Sequence, residues 1–182
     1  MDLGSAWEIA SALGLAIGLA ACAGLRAWLP LLLAGILSRT GLLALGPSFR
    51  FLQDDRALIL FGVATLLELT GDKIPVLDHA LDAVSTVLRP LAGALLAASM
   101  LGRVSDPLSA LVLGVALGAP TALLPHAAKS GLRAASTAMT AGLANPVLSL
   151  LEDLMALLLF AITVVLPLLA LLLVAGLTFF VL

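Results

Sequence analysis

Four carboxylates, Glu68, Asp72, Asp78 and Asp82, fall within 15 residues, with Lys73 and His79 between them. Glu68 and Asp72 are four apart, as are Asp78 and Asp82, so each pair shares a face wherever the chain is helical. Oxygen donors of this kind suit hard cations, and Asp78, His79 and Asp82 together would extend the choice to softer transition metals. Carboxylates beside a histidine also suit the relay of protons inside a membrane. Gly71 and Pro75 interrupt this stretch, and unwound backbone of that sort lines sites in transporters. The bland alternative is a hydrated interfacial loop whose charges pair with one another.

Two arginines stand in apolar surroundings, Arg26 in Gly24-Leu-Arg-Ala27 and Arg133 in Gly131-Leu-Arg-Ala134. An arginine within an apolar run costs at least ~2.5 kcal/mol to insert, so it faces protein or water, or snorkels to the headgroups. Either could pair with an acid, or take an anionic group bidentately. Asp153 is the acid of the C-terminal half that matches Asp82. The candidate ion or substrate site is therefore Glu68, Asp72, Asp78, His79, Asp82 and Asp153, with Arg26, Arg133 and Lys73 as charge partners. His126 and Lys129 fall in what reads as a polar connection and are assigned a structural role.

The elements that must position these residues are membrane helices. Of 182 residues, 62% are hydrophobic and 11% charged, and the mean hydropathy is +1.21. A soluble domain carries roughly a quarter of its residues charged. Apolar runs in lipid must satisfy their backbone internally, which makes them helices. Residues 9–37 hold one charge, Arg26, and exceed the roughly 20 residues of a crossing. Gly24 and Pro30 offer break points, giving a helix over 9–23 and a shorter segment over 27–37. Residues 38–56 form the longest polar connection. A helix follows over 57–69, an amphipathic segment over 76–88, and, after Arg89-Pro90, an apolar stretch over 91–101. A helix over 108–124 leads into polar residues 125–133 and then 134–144. Asn145-Pro146 breaks the chain before 147–182, where the 29 uncharged residues from 154 onward would make a helix of about 43 Å. Such a helix must tilt, kink at Pro167, or project. The expected fold is an all-α integral membrane protein with about five or six membrane segments, some broken or re-entrant, in one transmembrane domain over 1–182.

Self-similarity divides that domain. Leu13-Gly-x-Ala-x-Gly18 recurs as Leu113-Gly-x-Ala-x-Gly118, and Gly24-Leu-Arg-Ala27 as Gly131-Leu-Arg-Ala134. Pro75-Val-Leu77 with Asp82 recurs as Pro146-Val-Leu148 with Asp153, and Thr86-Val-x-x-Pro90 as Thr163-Val-x-x-Pro167. Two repeats follow, 8–101 and 107–182, the first enlarged by residues 38–70. They are inverted if 27–37 only dips into the membrane and parallel if it crosses. Arg and Lys in 38–56 and 126–133 favour a cytoplasmic side for both connections.

Several classes are excluded. The net charge of −2 and the lack of a basic patch interleaved with aromatics leave no nucleic-acid partner. One cysteine, Cys22, permits neither an intrachain disulfide nor a cysteine zinc site. Leu19-Ala20-Ala21-Cys22 has the look of a lipoprotein box, but the residues before it are acidic, which favours a packed helix residue. Enzyme signatures are absent and no cofactor is implied, beyond a cation in the acidic cluster. The function expected is a small transporter or channel-like protein of the bacterial cytoplasmic membrane. It would move a cation, a proton or a coupled solute through a polar site between the repeats. The alternative is a membrane scaffold, lipid-binding or assembly subunit using its arginines for headgroups. Partners are the bilayer and a small ion or solute, with a homo-oligomer allowed.

Gly24-Leu-Arg-Ala-Trp-Leu-Pro30, Glu68-Leu-Thr-Gly-Asp-Lys-Ile-Pro-x-x-Asp-His79 and Arg89-Pro90 resemble the bacterial membrane family called domain of unknown function 4126, over nearly the whole chain. That resemblance implies a small multi-helix membrane protein and no assigned activity. A looser similarity links Glu68 and Gly71-Asp72-Lys73 to cation exchangers of the transmembrane-protein-165 type, which carry Glu-x-Gly-Asp-Lys in each half. Here Thr70 is an extra residue, and the second half lacks the motif.

The uncharged runs predict that the protein leaves the membrane only with detergent and then gives a mostly helical circular dichroism spectrum. A stable detergent-free monomer would overturn the membrane assignment.

Overall fold

The computed structural model describes residues 3–71 and 75–181, apart from the side chains of residues 3, 75–83, 177, 180 and 181. Eight α-helices occupy most of the described chain: α1 Leu3–Leu25, α2 Trp28–Arg39, α3 Asp55–Gly71, α4 Pro75–Leu101, α5 Pro107–Leu113, α6 Ala119–Thr140, α7 Asn145–Val165 and α8 Pro167–Val181. A 3₁₀ helix, Pro47–Gln53, lies between α2 and α3, and a π-turn, Gly114–Gly118, joins α5 to α6. Four helical stretches are long and apolar enough to cross a membrane: Gly4–Leu25, Val84–Leu101, Pro107–Thr140 and Asn145–Val165. Trp28–Arg39 and Pro167–Gly176 are apolar but shorter. Large aliphatic side chains such as Ile59, Leu66, Leu150 and Leu154 point outward from α3 and α7. This is an integral membrane protein.

Prolines mark two of the helix breaks. Pro30 has no N–H to give Arg26 and its ring crowds the Arg26 carbonyl, which favours the break between α1 and α2. Pro167 has the same effect on α7, and Leu166 before it takes φ −133°, ψ 68°. Two other prolines do not interrupt. Pro90 lies inside α4 and Pro125 inside α6. The segments expected separately over 76–88 and 91–101 are therefore one helix. Likewise the polar connection expected over 125–133 does not exist: Pro107–Thr140 is continuous. Its π-turn immediately precedes Ala119-Pro120, where a missing N–H already loosens the ladder. Within 38–56, the 3₁₀ helix buries Phe49 and Leu52, so this connection is packed against the bundle. At the start of α5, Asp106 accepts from the backbone N–H groups of Leu108 and Ser109 at 3.1 Å each. Hydrogen bonding from Ser109 holds its carboxyl below the usual carboxylate range.

α1 is the axis of the bundle. It packs on α4, α6, α7 and α8, while α2 rests on α3 and the 3₁₀ helix. Its inner residues, among them Ala16, Leu19, Ala20, Cys22 and Ala23, are buried nearly all round, as expected of a helix with no polar face. Close packing without a hydrophobic drive between helices requires small residues at the crossings. A Cβ on Gly24 would stand 2.2 Å from the Ala122 carbonyl oxygen, and one on Gly118 would stand 2.4 Å from that of Gly93. Gly62 and Gly176 meet nothing within 4 Å.

Gly24→Val and Gly118→Val should each destabilise the detergent-solubilised protein by more than the ~1–3 kcal/mol typical of overpacking, because backbone must move. Gly62→Ala should leave the thermal midpoint unchanged or slightly raised. Equal midpoints for all three variants would show that these crossings do not govern packing.

Candidate functional site

The break between α1 and α2 creates the first half of the site. Arg26 still donates its N–H to the Cys22 carbonyl at 3.0 Å, but the next two N–H groups have lost their helical acceptors. Glu68, one turn from the end of α3, supplies them. Its Oε1 accepts from Ala27 N–H at 3.0 Å and its Oε2 from Trp28 N–H at 3.3 Å. A carboxylate there also complements the positive end of the α2 dipole. Trp28 stacks at a tilt near Phe61, with ring centroids 6.1 Å apart, which steadies α3 against α2. Phe61, Thr65 and Glu68 are all buried and fall at helical spacing, so one stripe of α3 carries the carboxylate inward.

Arg89 of α4 reaches Glu68 Oε1 at 3.8 Å. Fully buried, it also contacts His126 Nδ1 on α6, and His126 Nε2 lies 3.2 Å from Thr86 Oγ1. A guanidinium can only donate, so Nδ1 accepts and Nε2 carries the hydrogen in this arrangement.

The second half of the site is built on α7. Arg26 is fully buried, and its Nη2 donates to Ser149 Oγ at 3.0 Å and to the Ser149 carbonyl at 3.3 Å. The same nitrogen is 2.5 Å from Asp153 Oδ1 and 3.9 Å from Glu152 Oε2. Glu152 is the hub. Arg133 of α6 clamps it bidentately, Nε to Oε1 at 3.0 Å and Nη2 to Oε2 at 2.8 Å. Lys129 Nζ is 2.9 Å from the same Oε2. Planar two-point pairing of this kind is the strong form of the interaction. Among the described residues, then, Arg26, Arg89, Lys129 and Arg133 meet Glu68, Glu152 and Asp153 inside the bundle.

Of the candidates named from sequence, Glu68, Arg26, Arg133 and Asp153 come together in this network. Arg26 stands at the break after α1, whereas Arg133 lies inside unbroken α6. Asp72 and Lys73 lie outside the described residues. Asp78, His79 and Asp82 fall on the first turns of α4, but their side chains lie outside the described residues, and so does the candidate metal set. No group of three or more metal-ligating side chains occurs among the described residues. Sequence reasoning missed Arg89, His126, Lys129 and Glu152 as members of the site. Lys129 and His126 are buried on a helix, which corrects their assignment to a polar connection. A signal was present, since His126, Lys129 and Arg133 are spaced three and four apart, a single stripe of a continuous α6.

A family model described as Domain of unknown function (DUF4126) matches residues 13–182. The chain belongs to this family. No curated protein and no solved structure matches it. The match covers both halves of the charge network, from Arg26 to Asp153. The looser likeness to cation exchangers, drawn from Glu68 and Gly71-Asp72-Lys73, is not shown by these comparisons, and Asp72 and Lys73 lie outside the described residues.

Glu152→Ala would leave Lys129 and Arg133 buried without their shared carboxylate. Removing one partner of a buried pair costs about 3–5 kcal/mol, so the thermal midpoint in detergent should fall sharply. Glu152→Gln, which still accepts hydrogen bonds, should fall less. A surface pair behaves differently: Arg39→Ala, which loses exposed Asp55, should shift stability by under about 1 kcal/mol. A midpoint of Glu152→Ala equal to that of Arg39→Ala would remove the hub role.

Proposed function

We propose that this chain is a small membrane transporter or channel-like protein, not an enzyme, that moves a proton or a cation through its buried charge network. The observation that carries the reading is the meeting of Glu68, Arg89, Arg26, Asp153, Glu152, Lys129 and Arg133 around a broken helix inside a membrane bundle. Intramembrane ionisable residues are expensive and mark ion or proton paths more often than structural joints. Broken helices whose ends face such residues have the same association. Glu68 joins the helix break to the ion pairs, since it holds two backbone N–H groups on one side and faces Arg89 on the other.

The wider architecture in this reading is a single transmembrane domain over 1–182 with the shorter α2 and α8 as partial crossings, which raises four spans to six segments. Two repeats, 8–101 and 107–182, are supported by the shared starts of α4 and α7 at Pro-Val-Leu. The two repeat arginines do not take equivalent partners, since Arg26 and Arg133 both reach acids of α7. The proline breaks differ between the halves, since Pro90 is bridged and Pro167 is not. The bacterial cytoplasmic membrane is the proposed location.

Purified protein in liposomes should dissipate an imposed proton or cation gradient faster than empty vesicles. Glu68→Gln and Asp82→Asn should slow it by about tenfold or more, equivalent to ~1.4 kcal/mol in the barrier, while keeping the helical spectrum. Wild-type vesicles as tight as empty ones to protons and to monovalent and divalent cations would rule out transport of these ions.

A further inference from the structure

Phe61, Thr65 and Glu68 form the buried stripe of α3 that meets the start of α2. Phe61 lies against Trp28, and Glu68 takes the N–H groups of Ala27 and Trp28. Thr65 is held between these two anchors, at the helix break. It is 4% exposed, and its hydroxyl has no hydrogen-bond partner among the described residues. We propose that this end of the break binds one buried water molecule, which accepts from the Thr65 hydroxyl and bridges Glu68 to Arg89. The water's place does not depend on ion movement, so a chain that transports nothing would still hold it.

Two independent features point to a ligand here. The first is the hydroxyl itself. Threonines inside helices can return their hydrogen to the carbonyl four residues back. Thr70, Thr121, Thr140, Thr163 and Thr178 all do so, at 2.6–2.8 Å. Thr65 makes no such bond. A buried hydroxyl without a partner carries a desolvation cost that apolar neighbours do not offset. The second feature is the gap between Glu68 and Arg89. Both are buried, yet Arg89 Nη2 stands 3.8 Å from Glu68 Oε1. That is beyond the roughly 3.2 Å reach of an N–H···O bond, and polar groups held at such a distance are commonly bridged by water.

Helical spacing suits a single molecule. Residues three apart carry Cβ atoms about 5–6 Å from each other, and two hydrogen bonds of about 2.8 Å meeting at one water span nearly as much. Charge selects water over an ion. A cation would meet the Arg89 guanidinium, and an anion would meet the Glu68 carboxylate. Water accepts from Thr65 and Arg89 and donates to Glu68, which makes about three bonds, as buried waters ordinarily do.

Solid-state NMR of the full chain in lipid bilayers, with magnetisation passed from water protons to side-chain carbons, tests this. At short mixing times Thr65 should build up several times faster than Thr163, which is fully buried with its hydroxyl bonded to the Leu159 carbonyl. Thr65→Val keeps the shape and removes the hydroxyl. It should slow the transfer from water to Glu68 and lower the thermal midpoint in detergent by about 2–4 °C, as loss of a satisfied hydrogen bond does in a chain of this size. Thr65→Ser should keep the transfer to Glu68. Were the hydroxyl an orphan, its removal would relieve a burial cost and leave the midpoint unchanged or higher. That outcome, transfer to Glu68 undiminished in Thr65→Val, or equal build-up at Thr65 and Thr163 would each overturn the site. The last comparison needs no variant, so it decides the matter if Thr65→Val does not fold.

Discussion

Backbone N–H groups released by a broken helix must find acceptors inside the protein when the surrounding solvent is hydrocarbon. The helix breaks after Arg26, ahead of Pro30, and Ala27 and Trp28 turn their N–H groups to Glu68. From that bond the rest of the centre follows. A carboxylate brought this deep requires a cation, and Arg89 supplies one from α4. Arg26, carried inward by the same break, requires an anion in turn and finds Asp153 and Ser149 on α7. Each buried charge thus recruits another helix, and α1, α3, α4, α6 and α7 are tied through their ionic groups as well as by apolar contact.

Packing around α1 makes these ties geometrically available. Glycines at 24, 93 and 118 allow backbones to approach until a methyl group would overlap a carbonyl. Van der Waals contact over such crossings is the main attraction left between helices in lipid. Ion pairs do not substitute for it. Taking a charge from water costs several kcal/mol per ion even after relaxation, and well-packed apolar residues of the same volume are often as stable or more so. A network of at least seven charged groups is therefore poorly explained by stability alone, and this supports a working role for it.

Much of this was legible in the sequence, and the reasons for what was not are specific. Composition and run length dictate membrane helices without reference to tertiary structure. The exceptional arginines and Glu68 stand out because their types are rare in apolar runs. Proline was one source of error. Pro30 and Pro167 follow helix breaks, while Pro90 and Pro125 lie inside continuous helices. Reading 125–133 as a connection because its residues are polar hid the stripe of His126, Lys129 and Arg133. Glu152 was overshadowed by its neighbour Asp153, since adjacent residues on a helix point about 100° apart. Which of them meets Arg133 and which meets Arg26 depends on packing and not on spacing.

Sharing is what distinguishes the two halves of the network. Glu68 divides its oxygens between backbone and Arg89, so its neutralisation would loosen a helix terminus as well as an ion pair. Glu152 divides its oxygens among Arg133, Lys129 and, at longer range, Arg26. A carboxylate with several cations can exchange one for another without ever standing alone, which keeps the barrier to rearrangement below the cost of baring a charge in a low-dielectric interior. The α7 end of the centre is thus held by ion pairs and the α2 end by backbone hydrogen bonds. Arg26 joins them, since it sits on the break that Glu68 closes and reaches the acids of α7. The two halves therefore meet at one break in the axis on which the other helices pack.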